Sequence, residues 1–222
     1  MQGSTLISTG QLAEALGRPG LRVFDCTTYL EPAPEGSEAP YIAASGNGTF
    51  EAAHIPGADD LDLQGEFSDT STRLRFMMPA TAQLEAALSR HGIGEGVDVV
   101  LYSIGTMMWA TRFWWMLRSL GFDSVAVLNG GFDKWTAEGR LVERGQAKGY
   151  PRAVFKPVPR PGMFVDRNAV RDALGDAAPS WSTPLRRRIT VDLSRAATDG
   201  RAAYPAASTS RRRACATPRP RS

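Results

Sequence analysis

The residues best placed to do chemistry follow an apolar run, in the stretch VVLYSIGTMMWATRFWW of residues 99–115. The run ends at Tyr102, Ser103 comes next, and a helix is predicted to begin after a short turn. A loop of this kind gathers backbone N–H groups at the positive end of a helix, where they can hold an anion or activate a nucleophile. We therefore predict an anion-binding loop formed by Ser103, Ile104, Gly105, Thr106, Met107 and Met108.

Ser103 itself is a weak candidate for a hydrolase-type nucleophile. An alcohol does not ionise near neutral pH, so it needs an adjacent general base. Of the two histidines, His91 ends a predicted helix and His54 lies in a predicted turn, and no Gly-x-Ser-x-Gly elbow surrounds Ser103. The pattern favours a structural role for this hydroxyl.

Cys26 is a second candidate, because it follows Asp25 at the end of a predicted strand. Buried cysteines usually pack as small apolar residues, so we favour a packing role, with a substitute nucleophile as the alternative. Asp25 is predicted to hold neighbouring loops. With Cys215 as the second cysteine, no disulfide framework is indicated and a cytoplasmic location is expected. We expect neither a metal site nor a cofactor.

The elements that must position these residues alternate between strand and helix. An alternating pattern predicts an α/β fold with a mostly parallel sheet covered by helices on both faces. The functional crevice of such folds lies beyond the carboxyl ends of the strands, where Asp25, Cys26 and Ser103 should meet. Residues 29–47 are predicted to form a loop and residues 50–58 a turn. The predicted strands are 21–24, 97–102 and 124–128, and the helices are 6–16, 81–90, 109–120 and a short one near Trp135.

Charge is distributed unevenly along the 222 residues. The net charge is +3, but residues 181–222 hold ten arginines against Asp192 and Asp199, which leaves −5 for the remainder. We predict that this basic tail is unstructured, with a nucleic-acid contact as the less favoured alternative. No apolar stretch approaches the roughly 20 residues that span a bilayer, so no membrane partner is expected.

Three motifs, in this order, resemble the rhodanese family of sulfurtransferases. They are HIPGA at 54–58, the strand–loop–helix unit at 99–120 and LNGGFDKW at 128–135. The resemblance covers about residues 5–145, and the insertion before His54 is most similar to the first half of two-domain thiosulfate or 3-mercaptopyruvate sulfurtransferases. It implies a rhodanese-like domain over residues 5–148.

The same resemblance implies persulfide chemistry that this chain lacks the residue to perform. Members carry a cysteine as the first residue of the loop, and its thiolate takes up a sulfur atom and passes it to an acceptor such as cyanide. Ser103 stands at that position, and no persulfide can form on a hydroxyl. We therefore predict a non-catalytic domain without a catalytic residue; the alternative is a regulatory module that binds a small sulfur-containing anion or a partner's persulfide.

A second, partial domain is predicted after a proline-rich linker at 149–162. The spacing of Leu6, Ser8, Leu12 and Leu16 recurs 158 residues later, which indicates the opening helix of another rhodanese-like domain over 163–180. The missing remainder of that domain would be the packing partner of the first. Because residues 181–222 lack alternating elements, we expect a truncated or frame-shifted end, with the change near 176–185.

Overall fold

A five-stranded parallel sheet lies at the centre of the computed structural model, which describes residues 5–37, 39 and 41–175. The sheet has the order β1-β7-β6-β2-β5, and β3 and β4 form a separate antiparallel ribbon. The strands are β1 (Leu6–Ile7), β2 (Leu21–Asp25), β3 (Thr28–Pro32), β4 (Tyr41–Ser45), β5 (Asp59–Asp60), β6 (Asp98–Tyr102) and β7 (Val125–Leu128).

Helices cover both faces of this sheet, as the alternating pattern predicted. Successive residues of β6 enter opposite cores: Val99 and Leu101 pack in one, Val100 and Tyr102 in the other. A strand buried on both faces reads as a continuous apolar run, which is why the sequence revealed it. The helices are α1 (Thr9–Ala15), α2 (Asn47–Ala52), α3 (Thr81–Arg90), α4 (Met108–Ser119), α5 (Gly131–Ala137) and α6 (Arg167–Gly175).

The aromatic residues of α4 belong mainly to the core. Trp109 and Phe113 are buried against the sheet, whereas Trp115 is 40% exposed and donates a hydrogen bond to the Met163 carbonyl. Helical spacing thus puts most of the aromatic side chains on the face that packs against β6 and β7.

The predicted loop at 29–47 is wrong in part, because it contains most of the β3–β4 ribbon. Tyr29 pairs with Ala44 and Leu30 with Ala43. The Pro-, Gly- and Glu-rich composition that suggested a loop belongs to the connection between these two strands. The predicted turn at 50–58 likewise begins within α2, a helix of only six residues.

The described chain divides into two compact units, the first ending at Phe164. The predicted linker residues lie along this first unit: Phe155 is buried in its core and Val158 N–H donates to the Leu120 carbonyl (2.8 Å). Gly92 permits the close approach, since a Cβ there would lie 2.6 Å from the Pro151 carbonyl oxygen. The domain bounds given by the sequence stay a prediction.

In the second unit, α6 forms where the repeat predicts a helix. The Asp166 carboxylate accepts from the Ala169 N–H (2.8 Å), as the Ser8 hydroxyl accepts from the Gln11 N–H (3.2 Å) at the start of α1. Both are side-chain caps three residues before the bonded amide. The basic tail, its proposed frame shift and Cys215 fall outside the described residues. Within the described ranges, no helix is long and apolar enough to cross a membrane.

Candidate functional site

The carboxyl edge of the sheet brings Asp25, Cys26 and Ser103 together, as the sequence predicted. Because β2 and β6 are neighbours in register, Asp25 lies opposite Tyr102, and the Cys26 N–H donates to the Tyr102 carbonyl (2.8 Å). Ser103 follows directly on β6. The loop Ser103–Met108 therefore lies over the end of β2, at the start of α4.

The Ser103 side chain is held inside this loop. It is 1% exposed as a residue, and its hydroxyl donates to the Thr106 carbonyl three residues on. Its own carbonyl accepts from the Phe132 N–H (3.2 Å). The histidine bases are engaged elsewhere: His54 Nδ1 lies 2.8 Å from the Phe50 carbonyl and His91 Nε2 2.5 Å from Glu66. Neither of these histidines is therefore positioned as a general base for the Ser103 hydroxyl.

Four backbone N–H groups of the loop already have acceptors within the protein. Ile104 donates to Thr27 Oγ1 (3.0 Å) and Gly105 to Asp133 Oδ2 (2.7 Å). Thr106 N–H bonds the Ile104 carbonyl (2.8 Å) and Met108 N–H bonds Thr106 Oγ1 (3.2 Å). An external anion would have to displace these partners to bind the same amides.

Asp25 anchors the loop through Thr27. Its Oδ1 accepts from the Thr27 amide (2.8 Å) and hydroxyl, and that hydroxyl oxygen accepts in turn from Ile104. Burial, reinforced by the charge of Asp60, raises the pKa of Asp25 to about 6. Its Oδ2 is buried and makes no hydrogen bond with any described residue. This geometry is the loop-holding role predicted for Asp25.

Cys26 is fully buried, and its thiol makes a weak hydrogen bond of 3.9 Å to the Phe24 carbonyl. Burial raises the pKa of this thiol well above its usual range, and the charges of Asp25 and Asp60 add to the effect. A reactive cysteine needs the opposite environment, accessible and electropositive. The surroundings therefore suit packing.

Two residues that shape the loop went unnoticed in the sequence. Asp133 is the third residue of α5, and Thr27 lies two residues beyond β2. A signal for Asp133 did exist: it follows β7, the neighbour of β6, so its helix must begin beside the loop.

Arg112, the nearest cation along α4, bonds the Phe76 carbonyl (2.9 Å) and lies over the Phe164 ring.

No group of three or more His, Cys, Asp or Glu side chains within the described ranges is arranged to hold a metal ion. The functional groups that the structure places at this edge are the buried Ser103 hydroxyl, the buried Cys26 thiol and the carboxylates of Asp25 and Asp133.

The sequence and the fold are similar to those of known proteins. The model of the rhodanese-like domain matches residues 8–138. Thiosulfate sulfurtransferase of Gallus gallus is 37% identical over 69% of this chain and 51% of its own length. Thiosulfate/3-mercaptopyruvate sulfurtransferase 2 of Arabidopsis thaliana is 36% identical over 62% of this chain and 37% of its own length. The chain thus spans about half the length of the first of these relatives, and less of the second.

Among solved structures, SseA from Escherichia coli, described as a 3-mercaptopyruvate sulfotransferase with the rhodanese fold, superposes with a TM-score of 0.64. It is 26% identical, over 77% of this chain and 62% of that protein. The central parallel sheet with helices on both faces is therefore the fold of these neighbours.

Proposed function

Because this chain belongs to the rhodanese family, we propose that it contributes a non-catalytic rhodanese domain to a two-domain thiosulfate or 3-mercaptopyruvate sulfurtransferase. In this proposal the partner is a second rhodanese domain that carries the thiol, and the first domain supplies a packing surface. The sulfur donor would be a small anion handled by the second domain.

The observation that carries the proposal is that Ser103, a buried and hydrogen-bonded hydroxyl, stands at the loop position where the family has a cysteine. The family's chemistry requires a thiolate that takes a sulfur atom and holds it as a persulfide. Here a hydroxyl occupies the loop position, donates to Thr106 and is 1% exposed. Neither ionisation nor sulfur–sulfur bond formation is open to this group.

Cys26 does not replace the missing thiol in this proposal. A sulfur carrier must meet both donor and acceptor, and this side chain is sealed in the core formed with Phe24 and Leu101. Its raised pKa keeps the thiol protonated, and a thiol attacks far more slowly than a thiolate.

The test is thiocyanate production from thiosulfate and cyanide by the purified chain, with an intact two-domain thiosulfate sulfurtransferase as positive control. We expect no turnover above the blank from the wild-type chain or from C26A. Turnover that co-purifies with the chain and is lost in C26A would overturn the proposal, since it would make Cys26 the carrier.

The alternative, a regulatory module that binds a small sulfur-containing anion, also predicts no turnover. It differs from the proposed structural domain in predicting that the anion binds. Calorimetric titration of the wild-type chain with thiosulfate is expected to give no binding heat, because Thr27 and Asp133 already accept from the Ile104 and Gly105 amides. Saturable heat without turnover would favour the module and count against a purely structural domain.

A further inference from the structure

A cavity of about 230 Å³ lies between the turn at 54–59 and the segment 143–150, away from the Ser103–Met108 loop. We refer to it as the His54 cavity. It is smaller than the roughly 300–1,000 Å³ of drug-sized sites, so only a compound of a few heavy atoms would fit inside.

The walls of the His54 cavity are fixed by hydrogen bonds before any ligand arrives. His54 and Glu143 exchange both backbone hydrogen bonds (2.9 Å each) as an antiparallel bridge. The Tyr150 hydroxyl donates to the Gly57 carbonyl (2.6 Å) and accepts from the Val23 N–H (2.9 Å). A preformed site loses little conformational entropy on binding.

Two hydrogen-bond acceptors face each other inside it. His54 is 3% exposed, its Nδ1 lies 2.8 Å from the Phe50 carbonyl, and it must therefore carry the proton there. In the neutral ring Nε2 is then a lone pair, 4.0 Å from Glu143 Oε2, which is itself held by the Gly57 N–H (2.8 Å). A donor that reaches both atoms can bond both at once, and a cationic donor also neutralises the carboxylate.

The mouth of the cavity carries the opposite chemistry. Arg144, Gln146 and Lys148 line it with exposed side chains that make no hydrogen bond or ion pair within the described part of the chain. The Asp59 carboxylate on the inner side is 3.5 Å from His91 and is thereby engaged. His54 Nε2 thus lies deep, the Glu143 carboxylate extends from it toward solvent on a side chain that is 42% exposed, and free cationic donors lie at the opening.

We propose that the His54 cavity binds a small zwitterionic amino acid. The ammonium group enters first and donates to His54 Nε2 and the Glu143 carboxylate. The carboxylate group stays at the mouth and pairs with Arg144 and Lys148. This site is independent of sulfur transfer and of the proposed domain role.

The probe is L-serine, titrated into the isotope-labelled full chain and followed by the backbone amide signals of Gly57, Glu143 and Gly149. Ethanolamine and 3-hydroxypropionate are matched compounds that lack the carboxylate and the ammonium, respectively. We expect saturable shifts with a dissociation constant on the order of 1 mM for serine, and at least about tenfold weaker binding of either matched compound.

Glu143→Gln tests the acceptor end of the cavity. Its amide oxygen can still accept from the Gly57 N–H, but the side chain is uncharged and no longer forms an ion pair with the ammonium group. We expect serine affinity to fall at least about tenfold with the melting temperature unchanged or raised. Glu85→Gln, on the exposed face of α3, is the control and should bind serine like the wild type.

Three results would overturn the assignment. They are the absence of shifts at about 50 mM serine, fifty times the expected constant; equal binding of 3-hydroxypropionate, which would leave a simple anion site; and serine binding that E143Q leaves intact. None of them bears on whether the chain transfers sulfur, so the two proposals fail separately.

Discussion

The backbone N–H of Gly105 donates a 2.7 Å hydrogen bond to Oδ2 of Asp133. An internal carboxylate thus occupies one of the loop amides that the sequence predicted to bind an anion. The contact exists because β6 and β7 are neighbours in a parallel sheet, so the turns that follow them lie side by side. Together with the Asp25–Thr27–Ile104 chain, it places two acidic side chains around the loop, where sulfur chemistry would need positive potential.

Restoring a thiol should therefore not restore an activated thiol. In Ser103→Cys we expect the pKa of the new thiol to stay at or above its ordinary value of about 8.5, because the nearby carboxylate disfavours the thiolate. In S103C/D133N, where the introduced amide oxygen still accepts from Gly105 without a charge, the thiol should titrate about one pH unit lower. The thiolate absorbance, followed against pH, measures the thiol pKa in both variants. The titration curves of the wild type and of D133N are subtracted as blanks, because they contain the native thiols alone. If the thiol of S103C, without the second substitution, titrates far below pH 8.5, the proposed effect of the Asp133 charge is wrong.

Gly131 should tolerate no side chain. Its φ is +59°, and a Cβ there would lie 2.4 Å from the Ser103 carbonyl oxygen, which is fixed by the Phe132 N–H. Gly131→Ala is expected to lower the free energy of unfolding by about 2–4 kcal/mol, measured by urea denaturation. Gly48→Ala is the control: it lies in α2 with open space around the new methyl group. It should be neutral or stabilise by up to about 1 kcal/mol, and equal losses in both variants would contradict the steric argument.

The His91–Glu66 ion pair should make stability depend on pH. Burial alone would lower the pKa of His91, but hydrogen bonds to Asp59 and Glu66 raise it to about 9, and the same bond lowers that of Glu66 to about 2. The histidine contribution is fully present below about 6.5 and is lost as the pH rises through 9; the glutamate contribution is present above about 4.5 and is lost toward pH 2.

His91→Gln is the variant that isolates this pair. Because both side chains are partly exposed, we expect the wild type to lose about 1–2 kcal/mol of unfolding free energy between pH 6.5 and 9 through this group. H91Q should lack that loss. Parallel pH profiles for the two proteins would show that the pair does not contribute.

Asp25 should change stability in the same direction as His91, with stability falling as the pH rises, but in a lower pH window. Its pKa is raised to about 6, so the folded state binds the proton more tightly than the unfolded chain, and stability falls as the pH rises from about 4 to 6. Asp25→Asn can still accept both hydrogen bonds of Thr27 through its side-chain oxygen. We expect D25N to be more stable than the wild type by about 1–3 kcal/mol at pH 8 and similar to it at pH 4, by urea denaturation. A loss of stability at pH 8 would mean that the charge itself holds the loop.

The sequence predicted those parts of the fold that are buried on a regular period. The helix at 81–90 has the bounds of α3, and the apolar runs at 97–102 and 124–128 became β6 and β7 within a residue of each end. The β3–β4 ribbon was missed because nearly all of its residues are exposed or half-buried and its connection is rich in turn formers, so no apolar alternation marks the strands.

The site was predictable in its position but not in its contacts. That Asp25, Cys26 and Ser103 share one edge follows from strand order alone. That the Thr27 hydroxyl would link Asp25 to Ile104 depends on a loop conformation two residues beyond a strand, which no periodic pattern encodes. Whether the loop amides bind an anion remains a prediction.

The close approach of Gly131 to the Ser103 carbonyl limits what the LNGGFDKW motif can indicate about activity. In LNGGFDKW, Gly131 is required by its close approach to the Ser103 carbonyl oxygen, and Gly130 by its φ of +84° and the neighbouring Lys134 side chain. Neither requirement depends on which atom ends the side chain at position 103. The glycine pair therefore reports on the fold of this edge of the sheet and is equally compatible with a thiol or a hydroxyl at position 103.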